Sequence, residues 1–326
     1  MSGPSRDRRS RAAVLLLALV VLAAASAAAA RLPGADWSRL LPALLARFRD
    51  GERQEGFFTL VDQSGRVLLR TALSLAPGDI FIDPSNSWHR VVRVRGDLAE
   101  TVDVVPSSSG PGPSTSTAGL KPAAMPLGAS RRVIVIYHTH SDESYIPSDG
   151  TDSIYGNGGV LAVGDAMAAG LSAAGFAVVH DRTPHDPHDS GAYPRSRRTV
   201  LNDLRYGPSL LFDVHRDSAP PADYLTTVAG VETARVMIVI GGGNPLHQGN
   251  LDVANRLKAV SDSLYPSLCR GILIARGNYN QDLSPADILL EIGADTTPRP
   301  PAEHAGSLWA NVVTAYLGPP GPSAAP

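Results

Sequence analysis

The chain opens with a basic flank, Arg6, Arg8, Arg9 and Arg11, followed by an uncharged apolar run from Ala12 to Ala30. That run has the length of one bilayer-crossing helix. The basic flank predicts a cytoplasmic tail over 1–11 and export of everything that follows. The small residues of Ala23–Ala30 also fit a cleavage site, so a removed signal peptide is the competing expectation. Both readings place the rest of the chain outside the membrane. Beyond it, leucines at 40, 41, 44 and 45 have helical spacing within Trp37–Arg49. Short alternating runs then follow at Gly56–Asp62, Arg66–Thr71, Asp79–Ile82, His89–Arg95 and Ala99–Val105. Ser64–Gly65 and Pro77–Gly78 punctuate them as turns. Residues 35–105 are thereby predicted to form a small β-rich domain, a spacer or docking module without concentrated catalytic residues.

Residues 106–130 are rich in Pro, Ser, Gly, Thr and Ala, the composition of a flexible linker. From 131 to 317 the pattern changes to strands alternating with helices. Arg132–Tyr137, Ala177–His180, Leu210–Val214, Arg235–Ile240, Ile272–Ala275 and Ile288–Glu291 read as strands. Gly159–Ala174, Ser196–Tyr206, Leu246–Leu264 and Glu303–Tyr316 read as helices, the first ending at Gly175 as a C′ glycine. This alternation predicts an α/β domain with a mainly parallel sheet and flanking helices. Residues 318–326 are expected to be a disordered tail.

Composition narrows the choice of function. The 326 residues are 43% hydrophobic and 18% charged, enough for a sizeable core. A net charge of -2 and 6% aromatics supply neither a field for nucleic acid nor a stacking platform. The single cysteine, Cys269, excludes an intramolecular disulfide and a multi-thiolate zinc site, and reads as a buried structural thiol. Gly241–Gly243 lacks the Lys and Ser/Thr of a phosphate-binding P-loop.

Candidate chemistry gathers at three predicted strand ends, where open α/β sheets carry their functional groups. IVIYHTHSDESY supplies His138, His140, Asp142 and Glu143; LLFDVHRDS supplies Asp213, His215, Arg216 and Asp217; ADILLEIG supplies Asp287 and Glu291. His140 and Glu143 form an H-x-x-E pair, and His215 arrives on another strand. Two His and one Glu are a zinc-binding donor set that leaves a fourth position for water. Glu291 is then the carboxylate that takes the proton from water and returns it to a leaving nitrogen. His138 competes with His140, since residues two apart on an extended chain face the same way. His140 is preferred because it lies deeper in the loop, with His138 turned to substrate or supporting a ligand. The cluster His185, Asp186, His188, Asp189, in a loop with Pro184 and Pro187, could bind a stray metal but is read as a solvated loop. Arg195, Arg197 and Arg198 read equally as a clamp for a substrate carboxylate, with Arg197 foremost, or as a solvated helix face. Arg216 is expected to anchor a Glu or the substrate.

Taken together, IYHTHSDESY, NGGVLAVGDAMAAGL, YPRSRRTV, FDVHRDS and LLEIG resemble the stage II sporulation protein P family, over roughly residues 55–317 and most strongly over 131–218. The resemblance implies a zinc amidase/carboxypeptidase-like fold. It also implies hydrolysis of the N-acetylmuramoyl-L-alanine amide bond and of stem-peptide crosslinks in peptidoglycan, at the septal membrane during engulfment. Implied partners are a lytic transglycosylase, stage II sporulation protein D, and a membrane protein, stage II sporulation protein M. Of the related zinc enzymes, carboxypeptidases hold Zn2+ with an H-x-x-E pair and a later His, matched here by His140, Glu143 and His215. Amidases place the Glu at the start of the next helix, near Asn157–Gly158, where this chain has no acid. A late-strand Glu is catalytic in both, matched by Glu291. A peptidase restricted to crosslinks and a non-catalytic wall-binding scaffold are the alternatives.

Overall fold

The computed structural model describes residues 53, 56–105, 132–189 and 191–319. The expected anchor over 12–30, the helix over 37–49, the linker over 106–130 and most of the tail lie outside the described residues. Among the described residues, no helix is long and apolar enough to cross a membrane.

Five alternating runs form the first strands: β1 (Phe58–Val61), β2 (Val67–Thr71), β3 (Ile80–Ile82), β4 (Trp88–Arg95) and β5 (Leu98–Val104). The β1–β2 turn closes at Gly65, whose φ of 83° lies in the left-handed region that a side chain disfavours. The later strands are β6 (Val133–Tyr137), β7 (Ala177–His180), β8 (Leu210–Asp217), β9 (Leu225–Val228), β10 (Val231–Ala234), β11 (Val236–Gly241), β12 (Cys269–Ala275) and β13 (Asp287–Ala294).

How the two sets join was not legible in the sequence. β3 pairs antiparallel with β12, setting Ile80, Phe81 and Ile82 opposite Ile274, Leu273 and Ile272. The β-rich segment that the sequence sets apart is therefore continuous with the α/β segment through one 11-stranded sheet, in the order β2-β1-β5-β4-β3-β12-β11-β13-β8-β6-β7. Phe81 and Ile82 are buried at this junction. The junction is a packed seam, of the kind where truncating an aromatic costs about 3–5 kcal/mol.

From β6 onward the sheet is mainly parallel, as the alternation predicts, with β11 and β13 antiparallel to one another. The sheet as a whole is mixed, because the first five strands contribute mostly antiparallel pairs. The separate two-stranded ribbon of β9 and β10 was not predicted. Its turn places Ala229 and Gly230 at positive φ, and its runs are too short and polar to stand out.

The α-helices among the described residues are α1 (Ile146–Asp149), α2 (Val160–Ala173), α3 (Ala192–Asp203), α4 (Pro221–Tyr224), α5 (His247–Leu264) and α6 (Arg299–Leu317). Gly175 ends α2 as expected: its N–H donates to the Ser172 carbonyl, and the Phe176 N–H to the Leu171 carbonyl, a Schellman closure. The apolar stripes of α2, α5 and α6 cover one face of the sheet, with Trp309, Met167, Leu171 and Leu257 buried in one cluster with Ile134, Phe212, Ile238 and Leu290. The other face holds smaller clusters, where Val200 of α3 meets Val135, Tyr137 and Leu211, and where Tyr193 joins Leu73, Met237 and Leu289. Cys269 is buried as expected, and burial pushes its thiol up to about 12.

Candidate functional site

Alternation along β8 and β13 builds the floor of the site. His215 shares its face with Asp213, and Glu291 shares its face with Leu289, away from the α2–α5–α6 layer. The two strands run parallel with Glu291 opposite His215. Both residues lie inside strands longer than the sequence pattern indicated, and both are fully buried. β6 ends at Tyr137, and the loop after it carries His140 and Glu143 over this floor. Gly158 lets the loop sit tightly, since a Cβ there would fall 2.3 Å from the Glu143 carbonyl oxygen.

His140, Glu143 and His215 are neighbours, but among the described residues the grouping whose donor atoms all lie within 4.8 Å is His140, Asp142 and His188. The His140 ring meets the His215 ring edge-on, with centroids 5.2 Å apart and planes at 81°. Glu143 Oε2 lies 3.6 Å from His215 Nδ1. Asp213 Oδ1 lies 2.9 Å from His215 Nε2 and also accepts the Thr139 N–H at 2.8 Å, while Oδ2 accepts the Thr139 hydroxyl at 2.6 Å. Burial opposes a charge on His215, but the carboxylates of Asp213 and Glu143 outweigh it and raise its pKa well above the imidazole range. This is a place that favours positive charge. Two imidazoles with a buried carboxylate, and a second carboxylate holding the far nitrogen of one ring, suit a zinc-type ion.

Arg216 is an anchor of the loop. Its backbone N–H donates to Glu143 Oε2 at 3.0 Å, and its guanidinium donates to the carbonyls of Ser144 and Asp152. Arg197 is paired: its guanidinium makes a two-pronged ion pair with Asp282, at 2.7 and 2.8 Å, which raises its pKa further. The side chain is thus committed to Asp282 and not to a substrate carboxylate.

His138 corrects a second expectation. Its Nδ1 contacts the Val214 carbonyl at 2.8 Å and its Nε2 contacts His180 Nε2 at 2.8 Å. It packs beneath Gly164 of α2, where a Cβ would fall 2.6 Å from its Nε2, on the helix-covered face. Burial first, and then the nearby His180, hold its pKa well below the usual value. His138 therefore faces the core and not a substrate. The chain turns out of β6 after Tyr137, so the two-residue spacing does not place both imidazoles together.

The loop between β7 and α3 is the third correction. His185 is buried, with Nδ1 2.7 Å from the His138 carbonyl oxygen and Nε2 2.8 Å from the Thr199 hydroxyl. His188 stacks on His140 with centroids 3.8 Å apart and planes at 2°. It also lies 3.4 Å from Asp142 Oδ1. Burial works against the charge of Asp142, but hydrogen bonds from His188 and Ser153 prevail and hold its carboxyl at about 2. Donor atoms of His140, Asp142 and His188 all lie within 4.8 Å of one another, a grouping able to hold a metal ion. Tyr193 closes another side, edge-on to His140 at 5.6 Å and packed against Tyr279. Nothing beyond residue type marks His188 in the sequence, because only the loop's path brings it to His140.

Fold and site define an α/β protein whose central sheet presents a buried histidine–carboxylate cluster suited to a divalent ion. The stage II sporulation protein P profile matches residues 100–314, and the chain belongs to that family. It is 30% identical over 182 residues to the stage II sporulation protein P of Bacillus subtilis (strain 168), a match covering 50% of this chain and 45% of that protein. The chain thus spans less than half the length of that relative. Among solved structures, it is similar to an N-acetylmuramoyl-L-alanine amidase from Clostridium difficile 630, with a TM-score of 0.39 and 16% identity over 59% of this chain and 99% of the other. It is also similar to the CwlD amidase from Clostridioides difficile, solved in complex with the GerS lipoprotein, with a TM-score of 0.38 and 10% identity over 57% of this chain and 98% of the other.

Proposed function

We propose that this chain is a zinc-dependent peptidoglycan hydrolase that cuts the N-acetylmuramoyl-L-alanine amide bond and stem-peptide crosslinks during septal wall thinning and engulfment. What supports the reading is the neighbourhood of His140, Glu143 and His215, with Glu291 opposite His215 in the strand register. Family membership supplies the substrate class. In this reading residues 12–30 tether the enzyme to the membrane, with the α/β segment in the septal intermembrane space. Its companions there are the lytic transglycosylase and the membrane protein of the same sporulation stage.

His140, Glu143 and His215 would hold the zinc, whose chemistry there is to polarise the scissile carbonyl and acidify water. Asp213, 2.9 Å from His215 Nε2, would steady the ring and leave Nδ1 on the side of Glu143. The Arg216 N–H orients Glu143 through Oε2. Glu291, across the strand pair from His215, receives the proton of the attacking water and passes it to the leaving nitrogen. Burial of Glu143, His215, Asp213 and Glu291 keeps bulk water from competing for these groups.

The test is digestion of purified wall sacculi by the full chain, before and after chelator treatment and with zinc restored, with products identified by mass. Glycan free of stem peptide together with separated stems is expected, only when zinc is present. Stems still attached to glycan would restrict the activity to crosslinks. Undigested sacculi with zinc restored would refute the enzyme reading.

A further inference from the structure

We propose that His140, Asp142 and His188 form a second position for a zinc-class divalent cation, at the outer side of the cluster. It rests on the catalytic reading above and shares His140 with it; a neutral imidazole has one lone pair, so an ion occupies one position or the other, and the remaining donors are side chains that reading leaves aside.

The donors have the right chemistry, two imidazoles and a carboxylate, the mixture that zinc accepts. They also have the right spacing. Zinc bonds of about 2.0–2.2 Å at tetrahedral angles demand donors roughly 3.3–3.5 Å apart. Asp142 Oδ1 and His188 Nδ1 already stand 3.4 Å apart, and the whole set fits within 4.8 Å. The stacked rings hold their in-plane lone pairs parallel, so the partly exposed His188 ring turns out of the stack for one ion to reach both. Asp142 is further steadied by the Ser153 hydroxyl at 2.6 Å.

The loop that delivers His188 is held on both flanks. His185 is fixed through both ring nitrogens. Asp186 accepts from the Ser141 hydroxyl and from the Gly156 N–H. Arg195 donates to the carbonyls of His185 and Pro187 and to the Asp189 carboxylate, at 2.5–2.6 Å. These bonds pre-organise the backbone around His188, so little ordering remains to oppose binding. The His188 side chain is 19% exposed against 5% for Asp142, which gives an ion a route from solvent and leaves its fourth coordination position open to water or a substrate oxygen.

The experiment measures zinc in the chelator-stripped full chain, by elemental analysis for stoichiometry and by titration against a chromophoric chelator for affinity. Wild type, His188→Ala, His215→Ala and the double variant are compared, with circular dichroism confirming the fold of each. His188→Ala is expected to weaken one zinc position at least tenfold, with His215 present or absent. Wild-type stoichiometry and affinity in His188→Ala, in both backgrounds, would overturn the proposal; zinc loss confined to His215→Ala would then leave the catalytic reading standing. Zinc loss in His188→Ala with none in His215→Ala would support the second position and remove His215 from the catalytic set.

Discussion

Asp213 grips His215 from within the same strand: the carboxylate oxygen lies 2.9 Å from Nε2, two residues along one face of β8. The contact leaves Nδ1 turned toward Glu143. Groups that hold a metal-binding imidazole in this way contribute about 10–100-fold in metal affinity or activity. Asp213→Asn keeps Oδ1 for His215 and the Thr139 N–H but removes the negative charge and the Oδ2 acceptor of the Thr139 hydroxyl. It is expected to lower zinc affinity by about that factor, read by competitive chelator titration. Wild-type affinity would show that the carboxylate is not what orients His215.

In the proposed mechanism Glu291 carries a proton and does not bind zinc. Glu291→Gln preserves shape and removes the basic oxygen. Zinc content is expected to stay at the wild-type level while turnover on sacculi falls by about 10²–10⁴-fold, the usual worth of general acid–base catalysis. Full turnover in the variant would take Glu291 out of the mechanism.

The seam between β3 and β12 depends on Gly271. Its φ is +135°, and a Cβ would fall 2.4 Å from the Ile82 carbonyl oxygen. Gly271→Ala therefore combines backbone strain with a clash that only a shift of β3 relieves. A loss of about 2–4 kcal/mol is expected, which for a domain of this size lowers Tm by roughly 5–15 °C. An unchanged melting curve would mean that β3 is not firmly docked.

Asp79 sits beside that seam, and burial pushes its pKa up to about 6 against the Ala76 N–H and the Arg276 charge, which pull it down. The folded state therefore holds its proton where the unfolded chain, near 3.8, has lost it. The stabilising contribution is complete below about pH 4 and disappears as pH rises through about 6. The span corresponds to no more than about 3 kcal/mol. Asp79→Asn keeps an acceptor for Ala76 without the charge. Melts at successive pH values should show wild type losing stability relative to Asp79→Asn between about pH 4 and 7, and parallel curves would disprove the shift.

Much of this was legible in the sequence because the relevant forces act over a few residues. Alternation of apolar and polar positions drew the strands of the sheet, and the 3.6-residue period drew α2, α5 and α6. Gly175 marked a helix end because few other residues accept its φ of 96°. The H-x-x-E pair was visible because His140 and Glu143 share one loop, and His215 and Glu291 because each comes at the end of an apolar run in the sequence. What stayed hidden depends on which distant segments meet. The attachment of β3 to β12 is a choice among exposed edges that no local pattern specifies. His138 and His140 differ only in where the chain leaves β6, and the commitment of Arg197 to Asp282 joins α3 to a distant loop.

Residue order alone determined the α/β segment and the side chains available for chemistry, since burial of alternating apolar positions needs only near neighbours in the chain. The tertiary structure alone decided that His188 lies over His140, that His138 turns into the core, and that the β-rich strands extend the sheet that carries the site. Those outcomes follow from packing between segments far apart in sequence, whose energies are set only once the loops have closed.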